Sequence, residues 1–192
     1  MFSLDRLDVQ FAHANFRKEN HGDEKRAAAD LKFTLAAPNT LLDSIDKALR
    51  PAFFRKPGKG EQQALPIDGN NLVALNLPLL GEQKIATEYE AYEVEIASLL
   101  GHIEPLFFAD AKVKKIAWLP IEGGSISMSL TVSVQIDEDD DAPLLAAWRR
   151  GEAKLSLVPP KAQAVGDTLD QQDAEAAAAE AKRLVAAGKQ AA

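Results

Sequence analysis

One short segment gathers the residue types that single-stranded nucleic acid requires. Lys47, Arg50, Arg55, Lys56 and Lys59 supply cations for phosphates, and Phe53 and Phe54 supply rings that could stack on bases. A plainer reading competes: the two phenylalanines staple a helix end onto the core, the commoner fate of that residue, while the cations solvate a loop. A second cluster is acidic. Asp137, Glu138, Asp139, Asp140 and Asp141 are consecutive, and such a run could imitate a phosphate backbone and occupy a basic partner protein. Adjacent carboxylates repel and usually sit in solvated loops. The run also lacks the glycine and the spacing of a calcium-binding loop.

His13, Asn15, Arg17, Glu19 and His21 occupy alternate positions. On one continuous strand they would share a face, and His13, Glu19 and His21 would offer ligands to a metal or a base with an orienting partner. Their surroundings argue otherwise. Lys18 to Arg26 is polar and charged and reads as a loop, which leaves His21 solvated before Gly22. His13 continues the apolar face begun by Phe11, as a structural histidine. His102 stands beside Gly101 with no neighbour to complete a triad. With no cysteine and no serine-nucleophile motif, the expectation is a protein without catalytic residues, metal or cofactor.

The elements that must carry these residues are mostly strands. From Ser125 to Ile136 every even position is apolar and every odd position polar, the period of a strand with one dry and one wet face. Val113 to Ile121 precedes it across Glu122-Gly123-Gly124, so the two form a long antiparallel hairpin. Leu7, Val9 and Phe11 mark a first strand over 7–16, and Leu31, Phe33 and Leu35 a second over 30–36, paired across a long connection. Pro38-Asn39 opens a helix with Asn39 or Thr40 as its cap, Leu41, Leu42, Ile45 and Leu49 on its buried face, and Pro51 as its end. Residues 65–80, broken by Pro66, Gly69 and Pro78, allow one or two short edge strands. Tyr92 to Leu100 alternates with an acidic outer face. Pro143 to Trp148 is a helical turn with Leu144, Leu145 and Trp148 packed down, and 151–158 is a last strand. The class is mainly β: an antiparallel sandwich or partly closed barrel with one early helix. Residues 161–192 hold 12 alanines and few large apolar side chains, which separates a helical tail from the 1–160 core.

The totals narrow the setting. A chain of 192 residues with 46% hydrophobic residues can bury a real core. The N-terminus has no apolar segment of signal-peptide type, and no stretch approaches a membrane span, so a cytoplasmic protein without membrane contact is expected. The net charge of −7 is uneven: residues 1–60 carry +3 and residues 61–192 carry −10. Polyanion binding by the whole surface is disfavoured, and a local basic patch in the first third is not.

The segment from His13 to Glu24, followed by Ala29-Asp30-Leu31-Lys32, and the later Pro120-Ile121-Glu122-Gly123-Gly124-Ser125, resemble a family of small uncharacterised proteins of tailed bacteriophages and prophages. The resemblance spans roughly residues 5–158. It implies a phage-encoded protein working in the host cytoplasm beside replication, recombination or counter-defence, and no reaction. The expected function is therefore a non-enzymatic binding protein of phage nucleic-acid metabolism, taking single-stranded nucleic acid on the 47–59 segment. The alternative is an inhibitor that holds a basic host protein through the acids at 137–141. Unpaired strand edges make a homodimer equally compatible.

Overall fold

The structure is a computed structural model that describes residues 2–21, 24–58, 71–99, 104–137 and 139–160. The expected tail at 161–192, Lys59, Glu138 and His102 lie outside the described residues. Among the described residues nine strands follow in order: β1 (Leu4–His21), β2 (Glu24–Pro38), β3 (Phe54–Arg55), β4 (Ala74–Leu75), β5 (Gln83–Lys84), β6 (Tyr89–Ala97), β7 (Leu106–Ile121), β8 (Ser125–Gln135) and β9 (Glu152–Val158). The same residues include the α-helices α1 (Leu49–Phe53) and α2 (Asp141–Arg150).

Six strands close on themselves. The order β7-β6-β9-β1-β2-β8 is antiparallel throughout, and β8 pairs back to β7. The expected sandwich or partly closed barrel is thus a closed barrel, with β5 added beside the second half of β7. The six even positions from Ile126 to Ile136 all point inward, with Leu31, Phe33, Val113 and Leu155 completely buried around them. Strand alternation fills the interior with β-branched and large apolar side chains, and closure leaves those six strands without a common edge.

Five bulges bend the strands enough to close so small a ring. Four of them hold a residue in the left-handed region: Arg6 (φ 45°), Ala91 (φ 59°), Asp110 (φ 55°) and Lys115 (φ 54°). The fifth lies between Phe11 and His13. It corrects the expectation for His13: Phe11 is in the core, but the extra residue Ala12 turns His13 to the exposed outer face.

The Lys18–Arg26 loop is also corrected. β1 runs to His21 and β2 starts at Glu24, so a continuous hairpin replaces the long connection. β8 reaches only Ala28 of β2, so the end of this hairpin projects beyond the barrel.

The early helix is broken in two. A 3-10 turn spans Asn39–Ser44, and α1 follows with Pro51 inside it, where proline is tolerated in the first turn. Asn39 does not cap. It is fully buried and its Nδ2 donates to the Leu72 carbonyl at 2.7 Å. Leu42 is buried, and Leu41, Ile45 and Leu49 pack on the core as the spacing predicted. At the other side of the barrel the Tyr92 hydroxyl donates to the Phe2 carbonyl at 2.7 Å and ties the chain start to β6.

Candidate functional site

The outer wall of β1, β2, β8 and β7 carries the polar halves of the alternating strands. Register sets them in rows. His13 lies opposite Lys32, Lys32 opposite Thr131, and Thr131 opposite Lys114. One step along, Asn15 faces Asp30, Asp30 faces Ser133, and Ser133 faces Lys112. The bulge at Lys115 adds a cation, because it turns Lys114 and Lys115 outward together while Val113 and Ile116 stay in the core. Lys84 of β5 forms the far side. Between these side chains lies an open groove of about 570 Å³, lined by His13, Asn15, Lys32, Lys84, Lys115 and Thr131 among others. Thr131 is almost completely buried at its floor.

The acids that line the groove are engaged. Asp30 meets Arg17 Nη1 at 2.5 Å and Lys114 Nζ at 3.1 Å, and accepts a hydrogen bond from Ser133 Oγ. Partial burial opposes ionisation of the Asp30 carboxyl. The bonds from Ser133, Arg17 and Lys114 together outweigh that and lower its pKa to about 2. Arg17 also holds Glu19 at 2.6 Å, Lys112 holds Glu90 at 2.8 Å, and Lys84 stands 3.4 Å from Glu82. Lys32 and Lys115 have no ion-pair partner among the described residues. Two lysines without counterions, beside hydroxyl, amide and imidazole groups in a concave surface, can hold a phosphate or a carboxylate.

The segment singled out by composition is divided. Phe54 is 1% exposed and belongs to the core, which removes it as a stacking platform: a ring that fills the interior has no face left for a base. Phe53 is half-buried and meets Trp118 edge-on at 6.1 Å. Arg50 is bound to Asp43 at 3.0 Å. Lys47, Arg55 and Lys56 are exposed. The acidic run is likewise part of a local structure. Asp137 N donates to Asp140 Oδ2 at 2.9 Å, and Asp141 occupies the first turn of α2, where the helix dipole favours an anion. Asp137, Asp139 and Asp141 are exposed. No group of three or more potential metal ligands comes together among the described residues, so His13 and Glu19 gain no third partner there.

Reading along the chain missed Lys32, Lys114, Lys115 and Thr131 as one group. The alternation in β2 and β8 shows which of their side chains face outward. The β2–β8 register that makes them neighbours has no local signature. Comparison with protein-family models, with curated proteins and with solved structures finds no match for this chain. Among the described residues, no helix is long and apolar enough to cross a membrane.

Proposed function

We propose that this is a non-enzymatic binding protein that holds single-stranded nucleic acid by its phosphates in the groove on the β1-β2-β8-β7 wall. The observation that carries the reading is the pair Lys32 and Lys115: the two acids that line the groove, Asp30 and Glu82, each meet a cation, while these two lysines have no ion-pair partner among the described residues. His13, Asn15 and Ser129 add polar groups for sugar and phosphate oxygens. Among the described residues Ile85 is the groove's large apolar side chain and no aromatic ring lines it, so contact is with the backbone rather than with stacked bases. That form of binding is sequence-independent and suits the nucleic-acid metabolism of a phage.

Fluorescence anisotropy with a labelled oligothymidylate at low salt tests this. Two phosphates neutralised on a single strand predict that log K falls against log salt with a slope of about −1.4. The Lys32→Glu/Lys115→Glu protein loses the binding. Salt-insensitive binding, no binding, or full binding by the double variant overturns the proposal.

A further inference from the structure

His13 reaches the groove through a bulge. Phe11 lies inside the barrel, and the extra residue Ala12 turns the imidazole to the outer wall instead of the core. Lys115 reaches the same groove by the same device on β7, where the bulge sets it outward beside Lys114. Bulges beside functional sites re-aim a side chain. Here two of them, on strands far apart in sequence, aim an imidazole and an ammonium group into one concavity.

Register gives His13 its nearest neighbour. It lies opposite Lys32 of β2, and both line the groove. Side chains directly opposite on paired strands stand about 5 Å apart at Cβ, so His13 and Lys32 can reach the same tetrahedral anion. Neither side chain has a hydrogen bond or ion pair among the described residues.

The other charged groups around the imidazole are already engaged or are themselves cations. Asp30 is held by Arg17, Lys114 and Ser133, and Glu82 by Lys84. Lys115 also lines the groove. On the other edge of β1 the Phe11 N–H donates to the Gly151 carbonyl at 2.9 Å, which places Arg150 and Glu152 on that flank. Among the described residues no carboxylate forms an ion pair with His13. A charge gained there is left for a ligand.

Imidazole is the side chain that changes charge between about pH 5 and pH 8. A phosphate seated against it favours the imidazolium, and by linkage the imidazolium favours the phosphate to the same extent. We propose, on the reading of the groove as a nucleic-acid site, that His13 makes its hold on the strand proton-linked. One phosphate sits between His13 and Lys32, and a proton taken up at His13 adds a further charge to hold it. The strand binds more tightly as pH falls and is released as pH rises. Phosphodiesters stay ionised throughout this range, so the titration belongs to the protein.

Fluorescence anisotropy of the full chain with oligothymidylate carrying a pH-insensitive dye, at low salt, tests this at about pH 5.5 and pH 8. Wild type binds about tenfold more tightly at the lower pH. Its salt slope steepens there by about 0.7, as for one more phosphate neutralised on a single strand. His13→Gln has the same affinity and the same slope at both pH values. His13→Lys fixes the charge and shows the steeper slope at both. His21→Gln and His102→Gln, which replace the other two histidines, keep the full pH response. Far-ultraviolet dichroism verifies that each variant is folded. Salt-sensitive binding by wild type that is equal at the two pH values overturns the proton linkage and leaves the groove reading standing. A pH response that survives in His13→Gln overturns it as well, because another group then carries the proton. Absence of salt-sensitive binding at both pH values overturns the groove reading and the linkage together.

Discussion

The segment 47–56 and the groove across β1, β2, β8 and β7 are both rich in cations, and they acquire them in different ways. In the segment the cations are close along the chain. Their neighbours are then spent on structure: Phe54 enters the core, Phe53 packs on Trp118, and Arg50 is held by Asp43. In the groove, Lys32, Lys84 and Lys115 come from three strands far apart in sequence and are brought together by pairing. Cations clustered along a chain can solvate a loop. Cations set side by side by a ladder have fixed positions and a common direction, which is what a phosphate backbone can use.

That contrast can be broken by mutation. The largest effect belongs to the residue that changed sides. Phe54→Ala should cost about 3–5 kcal/mol of stability, read as the midpoint and slope of urea unfolding. A loss below 1 kcal/mol would mean that the ring is not core, and would return the segment to candidacy.

Asp30 comes next. Its folded pKa lies below the ordinary aspartate value, so its contribution is fully present above pH 3.8 and fades as pH falls through about 2. Allowing for solvent screening, Asp30→Asn should cost about 1–2 kcal/mol at pH 7. It should also flatten the stability–pH curve between pH 4 and 2. A wild-type curve already flat in that window would show that Arg17 and Lys114 do not stabilise the ionised carboxyl.

The groove lysines should behave in the opposite manner. Lys32→Ala and Lys115→Ala should each leave stability within about 0.5 kcal/mol and each lower the salt slope of oligonucleotide binding by about 0.7, measured by anisotropy. The smallest effect is expected from Lys47→Glu/Lys56→Glu, which should change neither stability nor the salt slope. If that variant loses binding and the groove variants keep it, the comparison is reversed.

How much could be read from the chain follows the wetness of each strand's two faces. The β7–β8 hairpin was legible because one face is dry: the alternation from Ser125 to Ile136 is the barrel wall written in sequence, and Gly123 and Gly124 adopt the positive φ angles that its turn requires. The projecting end of β1–β2 was not legible. β8 pairs with β2 only as far as Ala28, and Lys18 to His21 and Glu24 to Arg26 are all polar, so this end shows no apolar alternation and reads as a loop. His13 was misplaced by a bulge, which adds one residue and reverses every face after it without altering composition. The groove suffers from both problems. Its members alternate correctly within each strand, but their proximity depends on a register between β2 and β8, and on a left-handed Lys115 that no local pattern announces.

The pairing of β1 with β9 places Leu4 against Leu157 and Val9 against Ala153. A ribosome therefore emits the first stave of this barrel long before the stave that must lie beside it. Until β9 emerges, the interior edges of β1 and β6 stand open to water and to other nascent chains. Slow completion of this ring, rather than weakness of the finished ring, is where a cell's chaperones would have most to do.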